Sequence, residues 1–370
     1  MPKRKKNNTK KTAAPALPQG PDKTPAQRNA PPASEHQPKP VQVDAAPLPR
    51  SSPMLAVSAM LVAWADVLLG ALITTFNSSR AVPGWPGSFG YFWLFSPARF
   101  WAHGDVLLMQ IHRLLGVALL ILLATLAWSL RKTASQPLFG LSILLIAMTM
   151  IIAIIGGLRI TLDSPSLAWW HACLTPPLLA MLTLPAIIIR RQNRLPVAPT
   201  EPASPMIPSG SFWLALLIAT AATLYAQIIF GAFLRHVSPY SQSLTAFPFW
   251  VWVHTIFALC LLLLPVILLP AAFLSRRSQG DFARKLRRRA VWLSLLVVLQ
   301  VILGLINWVV NYNFPLWFLD NVMAINYTIV DGGPLQVTVT MAHVLTGFFT
   351  LTVAFATAAE VCMHRSSKAK

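Results

Sequence analysis

Acidic side chains are scarce: 11 Asp and Glu stand against 30 Lys and Arg. Only Asp66 lies well inside an apolar run, so a chain of carboxylates for proton transfer has thin support. Cysteine is almost as scarce. Cys173, Cys260 and Cys362 fall in different segments at no metal-ligand spacing. They exclude a disulfide framework and read as small apolar residues. The net charge of +19 comes with no motif of a nucleic-acid-binding fold, and nucleic acid is not an expected partner. The first 50 residues hold almost no aromatics, no apolar run of signal-peptide type and no Arg-rich amphipathic pattern. Rich in Lys, Pro, Ala and Gln, they cannot bury enough apolar surface to order themselves.

What is abundant is apolar length. Of 370 residues, 55% are hydrophobic and 11% charged, with a mean hydropathy of +0.58. Eight runs approach the ~20 residues that cross a bilayer. They lie at about 52–76, 104–130, 137–159, 167–190, 211–234, 248–273, 288–312 and 335–361. Basic residues collect in alternate connections: Arg131 and Lys132, then Arg190, Arg191 and Arg194, then a run from Arg276 to Arg289, and Arg365, Lys368 and Lys370 at the end. The positive-inside rule places both termini in the cytoplasm and the protein in a membrane, with lipid as its surroundings. The expected organisation is a basic tail at 1–50, a four-helix half at 51–194, a linker at 195–210, a second four-helix half at 211–361 and a tail at 362–370.

Four of the runs carry a histidine: His112, His171, His254 and His343. Each falls in the first two or three turns of a helix entering from the same side, so all four share a depth. Asp66 to Ala71 near the end of the first run resembles Gln227 to Ala232 near the end of the fifth. Gly156 and Gly157 in the third run match Gly304 in the seventh. The repeat pairs His112 with His171 and His254 with His343. A lone membrane histidine is usually a hydrogen-bonded packing residue. Four at one depth point to a metal or cofactor, and facing imidazoles suit haem iron. Arg80, Arg159 and Arg235 end the first, third and fifth runs, and Arg113 adjoins His112; they suit propionates, or snorkel to lipid phosphate. His36, His103, His236 and His364 read as surface or boundary residues. A histidine proton path in a transporter is the rival.

At Ile111, His112, Arg113 and Gly116 the chain resembles the haem A synthase family of cytochrome oxidase assembly proteins. Gly156 to Thr161 with His171, Gln227 to His236, and Leu299 to Gly304 resemble further family stretches, and the likeness spans roughly 52–361. It implies an all-α integral membrane protein whose eight transmembrane helices form two pseudo-symmetric four-helix bundles. It implies haem b between His254 and His343, and haem O as substrate between His112 and His171. The reaction would oxidise the C8 methyl of haem O to a formyl, giving haem A for oxidase assembly. It implies a bacterial cytoplasmic membrane, an electron donor, and an oligomer and haem O synthase among its partners. A non-catalytic bis-histidine cytochrome or a haem-handling assembly factor is the alternative.

The chain departs from the family at three places. Met109 stands where the family has a glutamate three residues before the helix-two histidine. Asp105 and Asp66 are the acids left, and neither is expected to reach the histidine without rearrangement. In the first outer loop, which keeps Pro83, Trp85 and Pro86, Val82 and Ser88 occupy the positions of a cysteine pair. Thr255 follows His254 where the family often has arginine. Ser88 is expected to face the outside and to serve as a labelling site once changed to cysteine.

Overall fold

The computed structural model describes residues 48–133, 135–193, 210–237, 246–274, 281–323, 325 and 327–366. Of the tail expected at 1–50 only residues 48–50 are described, and of the linker at 195–210 only Gly210. The protein is an all-α membrane protein. Among the described residues, eight spans are long and apolar enough to cross a membrane.

The first three spans are single helices: α1 (Ser52–Thr75), α2 (Gly104–Leu130) and α3 (Gln136–Thr161). The fourth is broken into α4 (Pro165–Met181) and α5 (Thr183–Gln192), and the sixth into α7 (Ala246–Leu261) and α8 (Leu263–Leu274). Prolines explain both breaks. Pro176 and Pro177 lie inside α4 and Pro185 early in α5, while Pro265 follows the α7–α8 junction. Each lacks the amide hydrogen that the helix ladder needs. The fifth span is α6 (Gly210–His236), the seventh α9 (Asp281–Tyr312) and the eighth α11 (Pro334–Ser366), with a short α10 (Leu316–Asn321) between the last two. Prolines in the first turns of α1, α3 and α4 suit a position whose amide has no partner in any case.

Two expected boundaries move. The basic run before the seventh span is not all connection, because Arg284 to Arg289 lie inside α9. The last span likewise runs on to Ser366 through part of the expected tail. Arg and Lys are good helix formers and snorkel their charges, so helix continues past the apolar stretch. Arg289 pairs with Glu360 at 2.8 Å and ties α9 to α11 at this basic end.

Inside the first half, α1 packs on α2, α2 on α3 and α3 on α4. Inside the second, α6 packs on α7, α8 on α9, and α11 on both α9 and α6. The halves meet where α4 touches α6 and α11, and where α1 touches α11. One apolar core, around Leu217, Leu261, Leu293 and Leu351, belongs to the second half. Another, around Leu119, Leu145 and Leu179, belongs to the first. Large apolar side chains such as Ile121, Trp128, Trp252 and Leu305 point outward, as suits helices whose outer solvent is lipid.

Candidate functional site

The four histidines form two pairs, each within one half. The rings of His112 and His171 have centres 6.3 Å apart and planes at 83°. Those of His254 and His343 are 6.4 Å apart at 74°. Every ring lies against a glycine of the preceding span. A side-chain carbon at Gly70 would stand 3.3 Å from His112 Cε1, and at Gly156 2.6 Å from His171 Cε1. At Gly231 and Gly304 the distance to His254 and His343 would be 3.1 Å in each case. Each ring thus occupies space that a side chain would fill.

One turn before each glycine, on the same helix face, a second residue meets the histidine. These residues are Asp66, Ile152, Gln227 and Gln300. His112 Nδ1 is 2.6 Å from Asp66 Oδ1 and 3.2 Å from the Asp66 carbonyl oxygen. His171 Nδ1 donates to the Ile152 carbonyl at 2.9 Å. Gln227 Nε2 donates to the His254 carbonyl at 2.9 Å and stands 3.1 Å from its ring Nε2. Gln300 Nε2 donates to the His343 carbonyl at 2.9 Å and stands 3.2 Å from its Nδ1. A single device is therefore repeated four times: glycine and its partner one turn earlier on one span, histidine on the next. The repeat of glycine stretches is legible in the sequence, but the residue one turn earlier was missed as a histidine partner. A polar residue four before glycine in an apolar helix, as at Asp66, Gln227 and Gln300, is the signal that finds it.

The donor set can be tested against a haem-type metal. Two imidazoles on opposite sides of one first-row metal, with bonds of about 2.0–2.1 Å and ring centres about 1.1 Å behind the nitrogens, would have centres about 6.2–6.4 Å apart. Both pairs match that spacing. In the first pair the tautomer matches too. Oxygen only accepts, so each Nδ1 carries its proton and each Nε2 keeps a lone pair. In the second pair the spacing fits, and His254 Nδ1 is buried without a partner. The Gln227 and Gln300 Oε1 atoms are also buried without a partner. Each amide is fixed by the bond its Nε2 donates to a histidine carbonyl, since turning it would set oxygen against oxygen. Among the described residues no group of three or more His, Cys, Asp and Glu is placed for a metal ion.

A cavity of about 380 Å³ opens beside the first pair, lined by both rings, by Met109 and by the indoles of Trp85 and Trp93. The arginines divide around it. Arg113, Arg159 and Arg235 line it, and Arg80 does not. Arg80 is exposed and pairs with Asp163 at 3.0 Å, which removes it from the expected propionate set. Arg113 donates to Ser88 Oγ at 2.7 Å and to the Gly84 carbonyl at 3.1 Å. Arg235 crosses from the second half and donates to the Ala71 carbonyl at 2.9 Å and to Thr75 Oγ1. It therefore serves the first pair's cavity. His236, expected at a boundary, lines the same cavity.

The connection from α1 to α2 seats over this site. A side-chain carbon at Gly157 would stand 2.1 Å from Trp85 Cδ2, so the indole lies flush on the helix backbone. Thr161 Oγ1 donates to the Trp85 carbonyl at 3.2 Å. Val82 and Ser88 are both buried, Ser88 at 1% exposure, so Ser88 is a poor labelling site after all. The Arg113 bond holds it inside.

Met109 is buried against Ile73, Val82 and Val106. Asp105 accepts from Ser78 Oγ at 2.7 Å, an engagement at the start of α2. Asp66 instead touches His112 from the neighbouring helix. The expectation that no acid reaches this histidine without rearrangement is corrected by that contact. No family model matches this chain, and no curated protein is similar enough to count as a match.

Proposed function

We propose that the chain is a membrane haem protein of the haem A synthase type, acting on haem O at the His112/His171 pair and holding haem b at His254/His343. The observation that carries this is the ring spacing of 6.3 and 6.4 Å in two matched pairs, with the first pair beside a cavity. Haem iron would supply the oxidising chemistry that turns the C8 methyl into a formyl. The protein's part is to bind, orient and exclude water. His112 and His171 offer Nε2 lone pairs, their Nδ1 hydrogens being held by Asp66 and Ile152. Arg113, Arg159 and Arg235 offer cationic donors to propionates. Trp85 and Trp93 wall off water. Haem A would pass to oxidase assembly, with haem O synthase as supplier and a separate electron donor.

The test is co-expression with a haem O synthase and a competent electron donor, followed by chromatography of extracted haems. Haem A with its hydroxylated intermediate is expected from the wild type, and neither from His112→Ala. Normal haem loading with no oxidised product would leave a bis-histidine cytochrome or haem-handling assembly factor. A purified protein with no Soret band would leave the transporter.

The same proposal includes a bacterial cytoplasmic membrane with both termini inside, because the basic connections lie at the end opposite the histidines. Phe95, at 73% exposure in the connection over the site, is a better probe than Ser88. Phe95→Cys is expected to react with an impermeant thiol reagent in intact cells. Reaction only after permeabilisation would reverse the orientation.

A further inference from the structure

The four positions one turn before the histidine-facing glycines are equivalent in the fold and unequal in chemistry. Ile152 offers only a backbone carbonyl, and Gln227 and Gln300 offer neutral amides. Asp66 alone brings a carboxylate, 2.6 Å from His112 Nδ1. Its second oxygen faces another glycine: a side-chain carbon at Gly116 would stand 4.0 Å from Asp66 Oδ2, an ordinary contact. Gly116 is one turn past His112, as Gly347 is one turn past His343 and beneath Gln300. Two glycines thus frame Asp66 and its histidine, Gly70 under the ring and Gly116 under the carboxylate. Among the described residues, His112 is the one basic side chain within ion-pair distance of Asp66. Arg159 and Arg113 line the same cavity without pairing to it.

We infer that Asp66 is a positioning residue that makes His112 the most strongly donating imidazole of the four. The inference rests on the haem-binding role proposed for the His112/His171 pair. The Nδ1 hydrogen meets the Asp66 carbonyl, and the negative charge of the carboxylate close beside Nδ1 raises the electron density at Nε2. A more basic axial nitrogen favours the oxidised iron over the reduced one. The amides facing His254 and His343 carry no such charge. The two halves of the repeat are thereby set to different potentials. The first is biased toward ferric iron, and the second holds the higher-potential centre. The Met109 position, one turn before His112 on the same helix, contributes no charge to this balance.

The experiment is a redox titration of the detergent-solubilised full chain loaded with hemin, resolving two haem components. The component that disappears in His112→Ala belongs to the first pair. Asp66→Asn keeps the shape and an acceptor oxygen but removes the charge. It is expected to retain low-spin haem while weakening the preference for ferric over ferrous iron at least tenfold. That is an upward shift of about 59 mV or more for a one-electron couple, in the first-pair component alone. Asp66→Glu, which keeps the charge, is expected to stay closer to the wild type than Asp66→Asn. A loaded Asp66→Asn protein with both potentials unmoved overturns the inference and leaves the haem site standing. A wild-type chain whose every haem component survives His112→Ala overturns both. If Asp66→Asn does not accumulate, Asp66→Ser makes the same comparison with the same two outcomes.

Discussion

Alanine at His254 is expected to take the haem content from about two per chain toward about one, and His343→Ala to do the same. The two rings stand 6.4 Å apart, and in the proposed haem b site each would supply one nitrogen to the iron. Losing either would leave that iron one protein ligand. The fold has reason to survive. The core of the second half runs through Leu217, Leu261, Leu293 and Leu351, and neither histidine belongs to it. Each histidine also meets a glycine face, so truncation opens space without cutting into that core. The check is a pyridine haemochrome assay against protein concentration, with the low-spin bands followed in parallel. Full occupancy and unchanged bands in both variants would defeat the assignment of this pair.

A comparably large effect is expected from a residue that bears no functional group. Gly156→Val places its first side-chain carbon 2.6 Å from His171 Cε1 and 2.8 Å from its Nδ1. Neither distance is tolerable, so the imidazole must leave and its 2.9 Å bond to the Ile152 carbonyl must break. The strain of such overpacking is about 1–3 kcal/mol, below what typically unfolds a protein of this size. The expected result is loss of the first-pair haem component and of oxidised haem product, with the second-pair component retained. Gly140→Val is the matched control. It lies in the same helix with nothing within 4 Å of its would-be side chain, and it is expected to behave as wild type. Equal behaviour of the two variants would remove His171 from the site.

The connection from α1 to α2 shows how a motif was legible while its contacts were not. Pro83, Trp85 and Pro86 mark the loop in the sequence, and Trp85 does cap the cavity. That Ser88 is buried depends on Arg113 reaching out of α2 to hold it. Spacing along the chain carries no information about that bond. Arg80 fails for a similar reason. Its pairing with Asp163 requires the turn after α3, where Asp163 takes a left-handed backbone at φ 42°. Arg235 sits at a helix end, as expected, and serves the other half of the molecule.

By itself the sequence determined the eight apolar spans, the all-α class and the pairing of the four histidines. Those follow from chain-local quantities: run length against bilayer thickness, and a fixed rise of 1.5 Å per residue. Even the twofold repeat is written in its glycines. The tertiary structure alone decided what stands behind each imidazole. Helical periodicity shows only the neighbours three and four residues away on one helix, so it directs attention to Met109 and Asp105. The acid that meets His112 is Asp66, on a different helix and 2.6 Å away, with Gly70 leaving room for the ring. Side-chain contact between helices depends on their separation and rotation, and those are settled by packing, not by spacing along the chain.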